Sequence, residues 1–462
     1  MNIYKKVMFL ALGVAALSLQ SCKDEDQPGG GRPVVNYIRC LSSEIVGNND
    51  PEDMHYTNGE LVEKAAPQSV IALVGDNLNS VREIWFNDKK AVLNTSYITE
   101  KSLIVSIPRE VPKTVTNKIY LINEAKDTVD VDFMVDVPAP EITTMSCEWA
   151  QPGEEVTLYG SYMVAYSDVP FKVLFTDANG APLEAKINSI AENNMSAKIV
   201  IPEGAVESTI TASTRYGTAT TAFHYRDTRG LITNFDNPDG FGANSGTKGI
   251  VPQGWNLAMT YSQEGGIDGY YAQVGDGTKE LTEDAGWNED FKISWWCGNW
   301  NGDPMSITEG AGVPLRNAFP AGYFDKPEKL AFKFELFIPA SNPWSAGALQ
   351  VLFVNNKRCA NDTWQNNTYI HTSANGGPDL CRGIYNPWVT SKTGSFDTEG
   401  KWITVTMPIS DFKYNMDGSK GDVPITPESF DSFTMWPIGG GIIGKECKPI
   451  IRYDNIRIVP IK

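Results

Sequence analysis

Two stretches of this chain run through the same series of short alternating segments. The first contains 70–78 (VIALVGDNL), 84–88 (IWFND) and 102–108 (SLIVSIP). The second contains 156–163 (VTLYGSYM), 173–177 (VLFTD) and 196–202 (SAKIVIP). Both open alike, with 35–40 (VNYIRC) against 142–147 (ITTMSC). Apolar and polar residues alternate along each segment, and Gly, Asn-Asp or Pro closes it. A two-residue period punctuated in this way predicts β-strands, and no helical period competes with it. A repeated series of such strands predicts tandem β-sandwiches.

The repeats define domains at 34–137 and 138–226. Pro138, Ala139 and Pro140 predict a short, stiff junction, because proline restricts itself and the residue before it. A third domain, 230–462, is also β-rich. In 329–339 (KLAFKFELFIP), Leu330, Phe332, Phe334, Leu336 and Ile338 face one way, and Lys333 and Glu335 the other. Further strands fall at 348–354, 402–409 and 450–459. A first strand at 232–237 and a last at 450–460 suit a jelly roll of the carbohydrate-binding-module type. The fold class is therefore all-β: tandem Ig-like sandwiches followed by a carbohydrate-binding-module-like sandwich or jelly roll.

Residues 1–22 have the pattern of a targeting segment. Lys5 and Lys6 precede an apolar run, 7–19, that is too short to span a bilayer comfortably. Leu19, Gln20, Ser21 and Cys22 resemble a bacterial lipobox with Cys22 as the lipidated residue; the alternative is an ordinary cleaved signal peptide. Residues 23–33 form a flexible tether. Within it, Lys23, Asp24, Glu25 and Asp26 resemble the acidic signal that sends some lipoproteins to the outer face of the outer membrane. These features predict lipid anchoring in the outer membrane with the body at the cell surface. The net charge of −17 comes without any Lys/Arg-rich run, which argues against nucleic acid and anionic lipid as partners. Cys40 and Cys147 are expected as buried thiols. Cys297, Cys359, Cys381 and Cys447 share the last domain and leave three pairings open, with Cys359–Cys381 favoured because it brackets a polar loop.

Ten of the 12 tryptophans lie between Trp255 and Trp436. Several sit among Gly and Asn, which predicts indoles on loops. A flat apolar face beside hydrogen-bonding groups suits the C–H face and hydroxyl rim of a pyranose. The candidates are Trp255, Trp287, Trp295, Trp296, Trp300, Trp344, Trp364, Tyr385 and Trp388. Alternation places Trp402 with Thr404 and Thr406, opposite Ile403, Val405, Met407 and Ile409; it also places Trp436 opposite Phe433 and Met435. Either indole can line a sheet face or pack beneath a crossing loop, the latter being favoured.

The two sandwiches resemble the IPT/TIG Ig-like family, whose V-x-L-x-G-x-N-L, V-x-F-N and L-x-V-x-I-P signature these segments follow. In the last domain, 235–237 (FDN), 266–271 (GIDGYY), 334–339 (FELFIP), 342–351 (NPWSAGALQV), 385–388 (YNPW) and 400–408 (GKWITVTMP) come in order. That ordered set resembles the C-terminal domain of the surface glycan-binding protein B family, lipoproteins of Sus-like polysaccharide-utilisation systems. The resemblance implies non-catalytic capture of a polysaccharide of β-glucan, xyloglucan or mannan type, beside Sus-like transporter components. Two or three aromatic platforms at about 1 kcal/mol each, plus rim hydrogen bonds, leave roughly −4 to −7 kcal/mol after ordering costs. That corresponds to dissociation constants of about 1 mM to about 10 μM.

No cofactor is called for. A structural calcium at Asp236, Asp268 and Asp454 is the one metal expectation, since first and last strands of such domains lie together and hard oxygen ligands suit the ion. Turn aspartates are the alternative there. Two other functions compete. A jelly-roll glycoside hydrolase or lyase would need a carboxylate pair across a cleft. Glu264, Asp268, Asp276, Glu283, Asp284, Glu289 and Asp290 show no such spacing, and His55, His224 and His371 are scattered. A protein-binding adhesin would not need tryptophan concentrated in one domain.

Overall fold

The computed structural model describes residues 31–42, 59–236, 260–286, 289–295, 314–355 and 382–461. It divides into two compact units, one up to Val137 and one from Pro138. The first unit is a β-sandwich. One sheet orders Val34–Ser42, Val70–Asp76 and Ser102–Ser106; the other orders Lys89–Lys90, Val81–Phe86, Lys118–Asn123 and Thr128–Asp132. Its core residues are the alternate members of these strands: Ile71, Leu73, Ile84, Phe86, Leu103, Ile119 and Leu121 are at most 1% exposed.

The second unit opens with the matching sandwich. Glu141–Met145, Glu155–Ser161, Ser196–Val200 and Lys186–Ile190 form one sheet; Pro182–Glu184, Lys172–Thr176, Ser208–Thr214 and Gly217–Tyr225 form the other. The repeat seen in sequence extends to the backbone. In both sandwiches the first strand meets the second across a bulge, between Val35 and Tyr37 and between Ile142 and Thr144. A Cβ on Gly75 would lie 1.8 Å from the Val34 carbonyl oxygen, and one on Gly160 would lie 1.8 Å from that of Glu141. The shared glycine is required by this close backbone approach. Cys40 and Cys147 are buried free thiols, and Cys447 is a free thiol that accepts a bond from Ser345 N. Cys297, Cys359 and Cys381 lie outside the described residues.

The terminal domain shows ten strands among the described residues: β1 (Leu231–Thr233), β2 (Thr260–Ser262), β3 (Tyr271–Val274), β4 (Ile293–Trp295), β5 (Leu330–Phe337), β6 (Leu349–Val354), β7 (Gly383–Tyr385), β8 (Ile403–Pro408), β9 (Ser432–Pro437) and β10 (Ile451–Pro460). One sheet has the order β2-β3-β10-β5-β8, with β1 also on β10; the other has the order β4-β9-β6-β7. All pairs are antiparallel, and the first strand lies on the last, Leu231 opposite Arg457. Phe332, Phe334, Leu336, Val351, Phe353, Val405, Phe433, Met435, Ile456 and Ile458 fill the space between the sheets.

The outer face of the larger sheet is covered by the second sandwich. Lys333 and Glu335 of β5 and Arg457 of β10 are fully buried, as is Glu148 of the sandwich. Lys333 Nζ lies 2.5 Å from Glu148 Oε1, and Arg457 Nη2 lies 2.8 Å from Glu148 Oε2. Arg457 Nη1 donates to Glu335 Oε2 at 2.7 Å, and Thr404 Oγ1 donates to Glu335 Oε1 at 2.8 Å. The Phe223 ring sits 4.5 Å from the Lys333 ammonium and the Trp149 ring 4.6 Å from the Arg457 guanidinium. Two buried cations thus meet two buried anions with hydrogen bonds, the condition under which such burial is tolerated.

Candidate functional site

Three of the tryptophans expected at the surface are core residues. Trp344 is 1% exposed, Trp295 3% and Trp388 5%, all within the inter-sheet cluster. The correction has a local cause. Trp344 Nε1 donates to the Ala346 carbonyl at 2.5 Å, and Trp388 Nε1 to the Gly347 carbonyl at 2.7 Å. The polar, Gly-containing neighbourhood supplies acceptors for buried indole N–H groups, which need them. Of the Trp295-Trp296 pair, Trp295 points inward, paired across the strands with Phe433. Tyr385 is partly buried against the same cluster, its ring centroid 6.2 Å from that of Trp344, and burial pushes its phenol upward. Trp255, Trp287, Trp296, Trp300 and Trp364 lie outside the described residues.

The smaller sheet shows where the segments bearing these residues are rooted. Its inner residues are apolar, but the outward positions carry Ser294 on β4, Gln350 on β6, and Thr434 and Trp436 on β9, with Lys292 and Arg382 just before β4 and β7. Ser294 and Thr434 share a 2.8 Å hydroxyl bond. Gln350 pairs across the strands with Trp436. Its amide donates to the Met416 and Ile438 carbonyls at 2.8 and 2.9 Å and accepts from Arg382 Nη1 at 3.1 Å. The Lys292 ammonium lies 5.7 Å from the Trp436 ring centroid. All six are buried, none above 4%. Sequence reasoning missed five of them, although the alternation in 349–354 and 432–437 gives the parity of Gln350 and Thr434.

Two Trp-bearing segments attach to one end of this sheet. Residues 296–313 follow Trp295, which pairs with Phe433; residues 356–381 follow β6, whose end, Val354, pairs with Ser432. The second segment returns at Arg382, beside β7, where Gly383 pairs with Val351. Trp296, Trp300 and Trp364 are therefore carried on segments with a common root.

Trp402 is half-buried and held by its neighbours. Its Nε1 donates to the Gly265 carbonyl at 2.9 Å, and its ring packs on Tyr271 and Phe337 at centroid distances of 5.6 and 5.5 Å. It lies beneath the 263–267 loop, at a hollow of about 680 Å³ between the second sandwich and the terminal domain. The carboxylates near the β3–β4 connection are engaged locally. Asp276 accepts from Thr278 N and Oγ1 at 2.8 and 2.6 Å, which holds its carboxyl below the usual range. Asp284 accepts from Thr282 Oγ1 and Gly286 N at 2.9 and 3.0 Å. Asp236, Asp268 and Asp454, the expected calcium ligands, do not bring three donor atoms within 4.8 Å of one another; among the described residues Glu207, His224 and Asp227 do. Asn455 Nδ2 donates to Asp268 Oδ1 at 3.2 Å, and Tyr270 N donates to Asp236 Oδ1 at 2.8 Å.

Comparison with known proteins agrees with this architecture. The family model for the surface glycan-binding protein B xyloglucan binding domain matches residues 225–460. The crystal structure of the surface glycan-binding protein PbSGBP-B from Prevotella bryantii is 33% identical to this chain. It covers 94% of this chain and 100% of its own, with a TM-score of 0.69. A Bacteroides ovatus protein named IPT/TIG domain-containing protein is 27% identical over 154 residues, 31% of this chain. The match spans 28% of that relative's length. With two sandwiches, a two-sheet terminal domain and these relatives, the chain belongs to the surface glycan-binding protein B family.

Proposed function

We propose that the protein captures a neutral polysaccharide of β-glucan, xyloglucan or mannan type at the cell surface, without cleaving it. The observation that carries this reading is the common root of the segments bearing Trp296, Trp300 and Trp364 at one end of the smaller sheet. Together with Trp255, Trp287 and Tyr385 these residues supply the aromatic contacts, while Trp295, Trp344 and Trp388 support them from the core. Membership of the family, and the xyloglucan named in the matching family model, favour a β-linked glucan backbone. The acidic net charge of −17 favours a neutral chain over an anionic one.

Absence of cleavage is favoured by what three of the described carboxylates already do. Asp276 and Asp284 are tied into turns. Glu335, pushed up to about 7 mainly by burial, is sealed in the ionic cluster with Arg457. None of the three is placed as an acid facing a cleft. Among the described residues no helix is long and apolar enough to cross a membrane. Anchoring is assigned to acylation of Cys22, with the acidic residues 24–26 directing the chain outward, where transporter components of a Sus-like system would receive the glycan. Dense display on a surface makes weak single-site binding effective, because contacts on one polymer add through effective concentration.

Affinity electrophoresis of the full chain in gels containing xyloglucan, mixed-linkage β-glucan, mannan or an anionic pectin tests the reading. Retardation by one or more neutral polymers, without release of reducing ends, is expected. Unretarded migration of folded protein in all of them would defeat it.

A further inference from the structure

The second sandwich and the terminal domain belong to one compact unit, and the hollow between them has no part in the site described above. Its volume is about 680 Å³. Ligand pockets span roughly 300–1,000 Å³ and favour domain interfaces. One wall is the turn from Phe396 to Trp402 in the terminal domain. The other belongs to the second sandwich, where Thr157 and Lys198 are cross-strand partners. Val156 and Leu158 point into the sandwich core, so alternation turns Thr157 outward, toward the hollow.

The walls are fixed by contacts within the protein. Thr404 N donates to the Ser146 carbonyl at 2.9 Å, and Glu148 N donates to Thr404 Oγ1 at 2.6 Å, which joins β8 to the sandwich. Gln151 Nε2 donates to the Ile267 carbonyl at 2.5 Å and ties in the 263–267 loop. Next to these bonds lies the sealed cluster of Glu148, Lys333, Glu335 and Arg457. A ligand entering such a hollow is spared the cost of ordering its walls.

The lining is of two kinds. Phe396 and Trp402 are half-buried rings. Tyr271 and Phe337 meet the indole at 60° and 46°, so neither lies flat on it. Around the rings stand exposed side chains of both signs, Lys198 and Lys401 with Glu154 and Glu399. An apolar ligand would leave these charges facing hydrocarbon, and an anion would meet carboxylates as well as ammonium groups. A neutral polyhydroxyl compound suits both kinds of lining. Its C–H face packs on the indole, while its hydroxyls donate to carboxylates and accept from ammonium groups.

We propose that this hollow is a second carbohydrate subsite, taking a short stretch of neutral β-linked glycan against Trp402. The choice of glycan rests on the function proposed above, but the subsite uses none of the aromatics invoked there. It also lies toward the other end of the domain. Phe396 exchanges backbone hydrogen bonds with Trp344 at 2.8 and 2.9 Å. The Trp344 ring packs beside Tyr385, which pairs with Leu349 at the start of β6. The segment bearing Trp364 leaves from Val354 at the end of β6, about 17 Å away at the usual rise of a strand. Two separate footholds on one polymer add through effective concentration.

The test uses the full chain with fluorine-labelled tryptophan, the Trp402 resonance being identified by its absence in Trp402→Phe. Titration with β-linked gluco- and manno-tetrasaccharides should move that resonance to saturation with at least one of them. It should move equally in the Trp300→Ala, Trp364→Ala double variant, in which the site proposed above is weakened. Thr157→Arg lays a long side chain across the hollow and should weaken the binding read at Trp402 roughly tenfold, without altering the affinity read at the other tryptophans. Lys198→Glu, at an exposed position, removes an ammonium group from the same wall and should weaken it severalfold, which keeps the test decisive if Thr157→Arg does not fold. A Trp402 resonance that stays still while others move overturns this proposal and leaves the proposed function standing. An affinity at Trp402 that is unaltered in both wall variants, or lost in the double variant, overturns it equally. Movement of Trp402 alone supports the subsite and counts against the site proposed above; no movement of any resonance overturns both.

Discussion

The two sheets of the terminal domain bury similar apolar inner faces but use their outer faces differently. On the larger sheet, Lys333 and Arg457 pair with Glu148, Glu335 pairs with Arg457, and the face is covered by the second sandwich. On the smaller sheet, Ser294, Gln350, Thr434 and Trp436 form a mostly neutral polar face, and segments rich in tryptophan root at its end. Ion pairs that leave water need fixed geometry on both sides, which a covalently linked neighbour supplies. Neutral amides, hydroxyls and indoles suit a glycan, which brings no compensating charge. One face is thereby committed to the contact with the second sandwich, while the other carries a buried polar network at the root of the segments proposed to hold the glycan.

The largest effects should come from the ionic face. Arg457→Met leaves Glu148 and Glu335 buried without their shared partner, and should cost about 3–5 kcal/mol in urea unfolding of the full chain. Trp344→Ala should cost a similar 3–5 kcal/mol, because the indole is core and its N–H is bonded. A loss of glycan affinity without loss of stability in Trp344→Ala would break the assignment of that residue to the core. Next in size is Gln350→Leu on the smaller sheet. It removes the amide's bonds to Arg382 Nη1 and to the Met416 and Ile438 carbonyls, for about 1–3 kcal/mol. An effect as large as that of Arg457→Met would erase the contrast between the two faces.

Much of this architecture is legible in sequence because alternation fixes parity. Leu330 to Ile338 and Ile403 to Ile409 face as their period requires, with Val405 and Met407 in the core and Thr404 opposite. Parity says which side a residue takes, not what covers that side. Nothing local to Lys333 or Glu335 announces Glu148, and the Arg457–Glu148 pair joins residues 309 positions apart. Trp344 and Trp388 lie in the core, against expectation, for a related reason. Gly and Asn around an indole suggest solvent, but around Trp344 and Trp388 the backbone carbonyls of 346 and 347 turn inward to meet the N–H.

The smallest effects are expected at the residues proposed to hold the glycan. A stacked indole contributes about 1 kcal/mol beyond area burial, so Trp300→Ala or Trp364→Ala should each raise the glycan dissociation constant roughly fivefold. Neither should move the thermal midpoint measurably, since these residues are assigned to the ligand and not to the core. The double variant should lose roughly twenty-five-fold if the two platforms act on separate sugar units, because contacts far apart add. Affinity electrophoresis alongside thermal melting separates the outcomes. Melting temperatures that fall together with affinity would move Trp300 and Trp364 into the class of Trp344. The smaller sheet would then be structural on both faces, and the rooted segments would lose their claim to the glycan.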